Sequence, residues 1–129
     1  RFTEASRRAG KEQYLVPYFI SAHPGSGIRE AIQLTEYLVS RNWRPRQVQD
    51  FVPSPGTAAT AMYVSGMDTK ARHVDVVKSR RDKRGQAALL QYYDPRNSKI
   101  ITECLQQENK PGLLKKINAI QARERKRKR

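Results

Sequence analysis

Two short segments carry the residue types that most readily bind a ligand. Residues 14–25 (YLVPYFISAHPG) and 48–56 (VQDFVPSPG) are each an apolar run that ends in a Pro-Gly turn. Gly25 and Gly56 let the backbone come close to a bound molecule. His23, just before the first turn, is either a proton carrier or ligand contact, or a residue that caps the turn by a hydrogen bond. These two Pro-Gly loops are the candidate ligand-binding segments.

Other side chains with chemical potential are few. Asp50 lies among apolar residues, where it either binds a cofactor hydroxyl or pairs with Arg44 or Arg46; pairing is the favoured interpretation. The single cysteine, Cys104, excludes an internal disulfide or a multi-cysteine metal site within these residues. Its place on the apolar face of a predicted helix indicates a buried thiol rather than a reactive one. No catalytic residue can be assigned from these patterns.

The order of the predicted elements brings both loops to one edge of a sheet. A strand over residues 12–21 precedes an amphipathic helix with Ser26 as its N-cap, and a second strand covers residues 47–52. This order favours parallel strands in an α/β sheet, where ligands lie outside the carboxyl ends. A closed α/β barrel normally needs about 200 residues or more. The 129 residues of this chain would therefore form only part of one.

Helical patterns dominate after the second loop. A short strand is predicted at residues 73–77, and Ser79 opens a helix with Asp82 three residues later, as in a capping box. Further helices are predicted to begin at Asn97 or Ser98 and at Pro111. After Gln121 the apolar positions stop, which predicts a solvated or disordered tail.

The net charge of +14 raises the hypothesis of nucleic-acid binding. Two stretches carry 12 of these charges, +4 from Lys78 to Arg84 and +8 over residues 110–129. Basic runs bind polyanions in a salt-sensitive way. The first stretch either contacts phosphate or forms a solvated surface. The end of the second stretch, from Arg123 to Arg129, binds RNA, an acidic partner or no specific ligand. The aromatic residues lie among aliphatic positions, which favours core packing over base stacking: Trp43, Tyr63, Tyr92 and Tyr93.

Three strings of residues resemble a known family. YLVPYFISAHPG, VQDFVPSPGTAATAMYVSG and QAALLQYYDPRN, in this order and at these distances, resemble the C-terminal portion of the YgiQ-type radical-SAM proteins. The resemblance implies an incomplete, partial TIM-like α/β barrel, with a 4Fe-4S cluster and S-adenosylmethionine at the carboxyl ends of the strands. In that class, one electron from the cluster splits the sulfonium and gives a 5′-deoxyadenosyl radical that abstracts hydrogen from the substrate.

The same resemblance implies a set of cofactor-binding residues. The residues similar to those near the ribose and adenine are Ile20, Ser21, His23, Pro24 and Gly25. The second strand is similar to the one beside the adenine, which adds Gln49 and Phe51. Exposed amides and carbonyls at strand ends suit this role because they can read an adenine edge.

The cluster-binding Cys-x3-Cys-x2-Cys motif of radical-SAM enzymes does not occur in this sequence. Each of three irons needs a thiolate, so one cysteine cannot hold the cluster. We therefore expect the segment alone to be inactive and an N-terminal part of the same protein to be its partner. The expected organisation is the end of a barrel (1–66), a helical extension (67–120) and a basic, disordered tail (121–129).

Two further expectations follow from composition. The sequence contains no apolar run of about 18 residues, so we expect no membrane partner and a soluble, cytoplasmic protein. The alternative function is a stand-alone basic module that binds nucleic acid through its helices and tail. Binding by that module would fall steeply with salt.

Overall fold

The computed structural model describes residues 1–127, which form two short strands and six α-helices. In chain order they are α1 (Phe2–Arg8), β1 (Phe19–Ser21), α2 (Ile28–Ser40), β2 (Val48–Asp50), α3 (Ala58–Ser65), α4 (Arg80–Leu90), α5 (Ser98–Gln107) and α6 (Pro111–Arg127). A short 3-10 helix, Pro95–Asn97, precedes α5.

The strands β1 and β2 pair in parallel, with Ile20 opposite Gln49. Because α2 connects them, the predicted order of strand, helix and strand is confirmed. The strands are shorter than predicted, with three residues each. Residues 11–18 form no regular element, and Tyr14, Leu15 and Val16 are exposed. Pro17 lacks the N–H that a strand ladder needs, which fits the late start of β1.

The described helices cover one face of this sheet and leave the other open. Phe19 and Val48 pack against the helical core, whereas Ile20 is 51 % exposed and Gln49 is exposed. Successive side chains of a strand point to opposite faces, so this alternation defines a covered face and an open one. The open face lies beside the exposed residues that precede β1.

The core joins α2 to the helices of the second half. Its buried residues are Ala31, Ile32, Leu38, Ala88, Leu89, Leu90, Tyr92, Ile101, Cys104, Leu105, Leu113 and Ile117. The buried Thr35 Oγ1 lies 2.7 Å from the Ala31 carbonyl oxygen and 3.0 Å from that of Leu89, which ties α2 to α4. The predicted segments 1–66 and 67–120 therefore share one core.

Helix starts follow the predicted chemistry with one exception. The Ser79 hydroxyl accepts a hydrogen bond from the Asp82 N–H, which confirms the predicted start of α4. The N-cap of α2 is Gly27, whose N–H donates to Glu30 Oε2 at 2.8 Å, so the prediction of Ser26 is wrong. A glutamate three residues into the helix can satisfy the free amide directly, without a side chain at the cap.

The connector and the tail differ from their predictions. Residues 73–77 form no strand; a single antiparallel bridge joins Met67 to His73. The helix α6 continues to Arg127, and most of residues 122–127 are exposed. Of the two predicted alternatives for the tail, the structure therefore has the solvated one and not the disordered one over residues 121–127, while residues 128–129 lie outside the described part. Gln121 is buried and donates hydrogen bonds to the carbonyls of Tyr92 and Asp94, which anchors the middle of α6.

The aromatic residues divide between core and surface. Tyr92 is fully buried, as predicted, and its hydroxyl donates to the Trp43 carbonyl at 3.0 Å. Tyr93 is half-buried and donates in the same way to the Pro45 carbonyl at 2.8 Å. The prediction of a core position is wrong for the Trp43 side chain, which is 48 % exposed.

Candidate ligand site at the carboxyl ends of the strands

A row of three rings lies at the carboxyl ends of β1 and β2. The His23 and Phe51 rings meet edge to face with their centroids 5.2 Å apart, and Phe51 lies 5.7 Å from Tyr63 of α3. All three side chains are half-buried. The row thus connects both Pro-Gly loops, and its rings are partly accessible to a ligand.

Two lysines extend this row. Lys78 and Lys83 each place Nζ 5.7 Å from the centroid of the Tyr63 ring, within the range of a cation–π contact. Lys83 lies in the first turn of α4, and Lys78 precedes that helix. The site therefore changes from aromatic at the strand ends to cationic at the start of α4.

The end of β1 is held by a buried glutamine. Gln86 Oε1 accepts a 2.7 Å hydrogen bond from the Ala22 N–H, and its Nε2 donates to the Ser26 carbonyl at 2.8 Å. Ala22 has a φ of 56°, a left-handed conformation that is unfavourable for a residue with a side chain. Such strain is often located at functional sites. Gln86 thus fixes both ends of the first loop.

The first Pro-Gly loop is closed by further hydrogen bonds. The Ser26 N–H donates to the His23 carbonyl at 2.9 Å, and the Gly25 N–H donates to the Asp75 carbonyl at 2.7 Å. His23 Nδ1 lies 2.9 Å from the Pro24 carbonyl oxygen, which fits the turn-capping interpretation of His23. The loop is therefore ordered by its own backbone and by the connector before α4.

Among the residues that the structure describes, Asp50 pairs with a serine and not with an arginine. Ser21 Oγ donates to Asp50 Oδ1 at 2.5 Å, and the Phe51 N–H continues the ladder to the Ser21 carbonyl at 2.8 Å. Arg44, one of the two predicted partners, instead pairs with Glu124 of α6. The predicted pairing is wrong because sequence proximity ignores the register that places residues 21 and 50 side by side.

The second Pro-Gly loop leads directly into α3. Gly56 has a φ of 79°, which favours glycine. Thr57 caps α3 by accepting from the Thr60 N–H, and the Thr60 hydroxyl donates to the Ser54 carbonyl at 2.7 Å. These bonds close the loop against the first turn of the helix.

The structure brings together some of the residues that the resemblance implies and separates others. His23 and Phe51 are in contact. Gly25, two residues after His23, is exposed, whereas Ser21 and Pro24 are buried. The remaining two lie on the open face of the sheet: Ile20 and Gln49. The hydroxyl of Tyr18 donates to Gln49 Oε1 on that face.

Sequence reasoning missed Gln86 as part of the site. The signal was present, because Gln86 precedes Leu89 and Leu90 by three and four residues and so shares the apolar stripe of its helix. A polar residue on such a stripe must find partners when it is buried. The contact of Lys78 and Lys83 with Tyr63 joins residues from separate elements, and no local pattern marks it.

The described residues contain no group of three or more His, Cys, Asp or Glu side chains able to hold a metal ion. Cys104 of α5 is buried against Gly85 of α4, and burial raises the pKa of its thiol. A buried neutral thiol is a poor metal ligand because the thiolate is the binding form. Within residues 1–127, no helix is both long and apolar enough to cross a membrane.

Comparison with known families places the site in context. A family described as "Domain of unknown function (DUF3362)" matches residues 46–119, which include β2, α3, both lysines and Gln86. That match covers more than half of the sequence. The chain belongs to this family. No solved structure matches it significantly.

The curated relatives are UPF0313 proteins. Those of Methanocella arvoryzae and Clostridium perfringens are 42 % and 39 % identical over 115 residues, and that of Pseudomonas putida is 41 % identical over 119 residues. Each alignment covers 88 % of this chain but only 19 %, 17 % and 16 % of the respective relative. The chain thus spans less than a fifth of the length of these proteins. UPF0313 is the YgiQ-type family, which confirms the resemblance at the level of the family.

Proposed function

We propose that this chain is the C-terminal segment of a radical-SAM iron–sulfur enzyme of the UPF0313 group, and that the loops after β1 and β2 form part of its S-adenosylmethionine pocket. The proposal is supported by the family membership and by the short span of the chain relative to its relatives. In this proposal the fold is the C-terminal part of an incomplete barrel, and the preceding sequence supplies the other strands.

The observation that carries the proposal is the open face of the β1–β2 pair. Two-stranded sheets are rarely stable by themselves, and here one face packs on helices while the other exposes Ile20. In an α/β barrel the helices lie outside and the opposite strand face lines the interior. The covered and open faces of this sheet match those two environments.

The residues at the strand ends fit a nucleoside-bearing cofactor. Gly25 and Gly56 have positive φ, and a Cβ at either position would find no heavy atom within 4 Å, so a ligand can approach their backbone. The rings of His23 and Phe51 offer apolar contact beside the first loop. When bound with a reduced cluster, S-adenosylmethionine would supply hydrogen-abstraction chemistry at this edge.

The cluster itself does not fit these residues. Its three irons need three thiolates, whereas the chain has only Cys104, which is buried in the helical core. The role of this segment in the proposal is therefore to bind and orient the nucleoside part of the cofactor and to shield it from water. The iron ligands must come from elsewhere in the protein.

The direct test uses the intact protein that contains this chain, purified and reconstituted with iron and sulfide without oxygen. We expect Gly25→Val to weaken the binding of S-adenosylmethionine by at least about ten-fold, because a branched side chain would strain the φ of 83° and block the loop surface. Gly10→Val is the matched control, since Gly10 also has a positive φ (65°) and open space but lies after α1.

Equal affinity of the Gly25 and Gly10 variants would reject the assigned pocket. The coding sequence upstream of Arg1 provides an independent test of the class. A Cys-x3-Cys-x2-Cys motif in frame is the expected finding, and a start codon immediately before Arg1 would overturn the enzyme proposal in favour of a stand-alone basic module.

A further inference from the structure

Positively charged side chains accumulate where the aromatic row ends. Lys78 and Lys83 gather around one ring, Tyr63, at equal distances of 5.7 Å. Within residues 1–127, neither lysine makes an ion pair within 4.0 Å. Two cations that have no carboxylate partner in the described part of the chain create a local potential around the ring that favours an anion.

The helix that follows strengthens this potential. We call the five cations the basic patch: Lys78, Arg80, Arg81, Lys83 and Arg84. The three arginines are exposed, and among the described residues only Arg81 has a carboxylate partner, Glu103 at 3.5 Å. The amino end of a helix already carries partial positive charge, so cations there are unfavourable for the helix. An anionic ligand would relieve that repulsion.

The patch continues into a groove between α4 and α5. This α4–α5 groove has a volume of about 490 Å³, and Arg84, Arg96 and Lys99 line it. Glu103, the partner of Arg81, also lines it. Arg96 pairs with Asp94, whereas Lys99 has no ion pair in the described part of the chain. Cations thus lie at Tyr63, on the first residues of α4 and, with Lys99, at the start of α5. This extent favours a chain of phosphates over a single anion.

The rings decide between two kinds of polyanion. Tyr63, Phe51 and His23 are half-buried rings beside the cations. Single-stranded nucleic acids are bound by positively charged grooves combined with aromatic side chains on which bases stack. An acidic peptide would use the cations but would gain nothing from a row of rings.

From these observations we infer that the basic patch and the α4–α5 groove bind a single-stranded nucleic acid, with a base stacked at Tyr63. The binding surface stands on its own geometry. The identification of this ligand as the substrate of the enzyme rests on the proposed function, because the row leads from the patch to the loops of the cofactor pocket. The substrate would then be a nucleotide of the bound strand.

The test measures binding of a fluorescein-labelled 15-nucleotide single-stranded RNA to the intact protein by anisotropy, in the absence of S-adenosylmethionine. Each phosphate contact contributes about 0.7 to the slope of log affinity against log salt. Lys78→Gln/Lys83→Gln should reduce that slope by about 1.4 and weaken binding by about 25-fold at 0.1 M salt. Arg80→Gln/Arg84→Gln should give a similar loss and serves as a second variant if the first folds poorly.

Lys115→Gln/Lys116→Gln is the matched control, with the same change in charge. Both lysines are exposed, and Lys116 lies near Val39 and Ser40 at the end of α2. Because α2 runs back from the carboxyl end of β1 to the amino end of β2, this position is at the opposite end of the sheet. We expect the affinity of this control for RNA to lie within about two-fold of the wild type. A loss of affinity equal to that of Lys78→Gln/Lys83→Gln would overturn the inference.

Two further arms distinguish the ligand. Tyr63→Leu should weaken RNA binding by at least about five-fold while Tyr63→Phe keeps it, since stacking needs the ring and not the hydroxyl. Heparin that binds as tightly as RNA, with no effect of Tyr63→Leu, would show a general polyanion surface and overturn the inference. If adenosine monophosphate binds as tightly as the 15-mer, the ligand is a mononucleotide and the inference of a nucleic-acid strand is overturned.

The two proposals fail separately in this design. Cleavage of S-adenosylmethionine without RNA binding would reject the nucleic-acid inference and leave the enzyme class intact. The opposite result is also possible: the protein neither holds a cluster nor cleaves the cofactor, yet binds RNA in a way that depends on Lys78, Lys83 and Tyr63. That result would support the nucleic-acid surface and reject the proposed function.

Discussion

Gln86 Oε1, on α4, accepts a 2.7 Å hydrogen bond from the N–H of Ala22, the first residue after β1. The same side chain donates to the Ser26 carbonyl at 2.8 Å, and it is 1 % exposed. One buried amide therefore satisfies the backbone at both ends of the loop that is proposed to face the cofactor. The helical core and the ligand loop are coupled through this single residue.

Replacing Gln86 by leucine should destabilise the fold by about 2–4 kcal/mol, because the buried Ala22 N–H and the partly buried Ser26 carbonyl lose their partner. Urea unfolding followed by far-UV circular dichroism measures this loss. Gln106→Leu is the matched control on an exposed position of α5 and should change the free energy of unfolding by less than about 0.5 kcal/mol. Equal effects of the two variants would show that the bridge contributes nothing.

The helices were predictable from the sequence and the reach of the strands was not. Ser79 and Pro111 mark the starts of α4 and α6 through local capping chemistry, and the structure places both there. The extent of β1 depends on neighbours instead, because a strand needs a partner for its hydrogen bonds. Residues 12–18 carry a strand-like pattern and form none, since no described strand lies beside them.

Gly85 of α4 packs against Cys104 of α5. A Cβ at Gly85 would lie 3.0 Å from Cys104 Sγ and 3.1 Å from Ile28 Cδ1. Gly85→Ala should therefore destabilise the protein by about 1 kcal/mol, since overpacking exceeds the gain in helix propensity. Gly112→Ala, where nothing lies within 4 Å, should instead be neutral or stabilising.

A double-mutant cycle assigns the cause of that loss. In a Cys104→Ala background the Gly85→Ala substitution should cost at least about 0.5 kcal/mol less, because the thiol that the new methyl meets is gone. Thermal or urea unfolding of the four proteins gives the coupling energy. Additive effects would mean that Ile28 alone, or the backbone, resists the methyl group.

Burial raises the pKa of the Cys104 thiol, so folding favours its neutral form. The stabilising contribution is fully present below the pKa of the unfolded chain, about 8.5, and is lost as pH rises through the higher pKa of the folded chain. The wild type should therefore lose more stability than Cys104→Ala above about pH 9. Tyr92 and Tyr93, whose pKa values are also raised by burial, titrate in both proteins and provide a common background.

Thiol alkylation gives a second measurement of the same burial. Iodoacetamide should modify Cys104 at pH 8 at least about ten-fold more slowly in the folded chain than in urea, because the reactive thiolate is rare and covered. Equal rates, or parallel pH profiles for the wild type and Cys104→Ala, would contradict the buried neutral thiol.

Part of the candidate site could be predicted because it follows from element order. The parallel pairing placed the two Pro-Gly loops at one edge, and His23 and Phe51 are indeed in contact there. The partners of Asp50 and Gln86 could not be predicted. Cross-strand register and the packing of α4 against β1 decide them, and both depend on contacts between residues far apart in sequence.

The open sheet face leads to a prediction about amide exchange. In the isolated chain, amides of α4 and α5 near Leu89 and Leu105 should be strongly protected, because both residues are fully buried. The amides of residues 14–20 should exchange rapidly there, since 14–18 form no regular element and β2 is the one described strand that pairs with β1. In the intact protein the same segment should slow by at least about a hundred-fold, because a neighbouring strand would then pair with it. Strong protection of residues 14–20 in the isolated chain would contradict the incomplete barrel, as would unchanged rapid exchange in the intact protein. The difference between the two exchange maps, measured by mass spectrometry on the same peptides, would locate the surface on which the rest of the barrel lies.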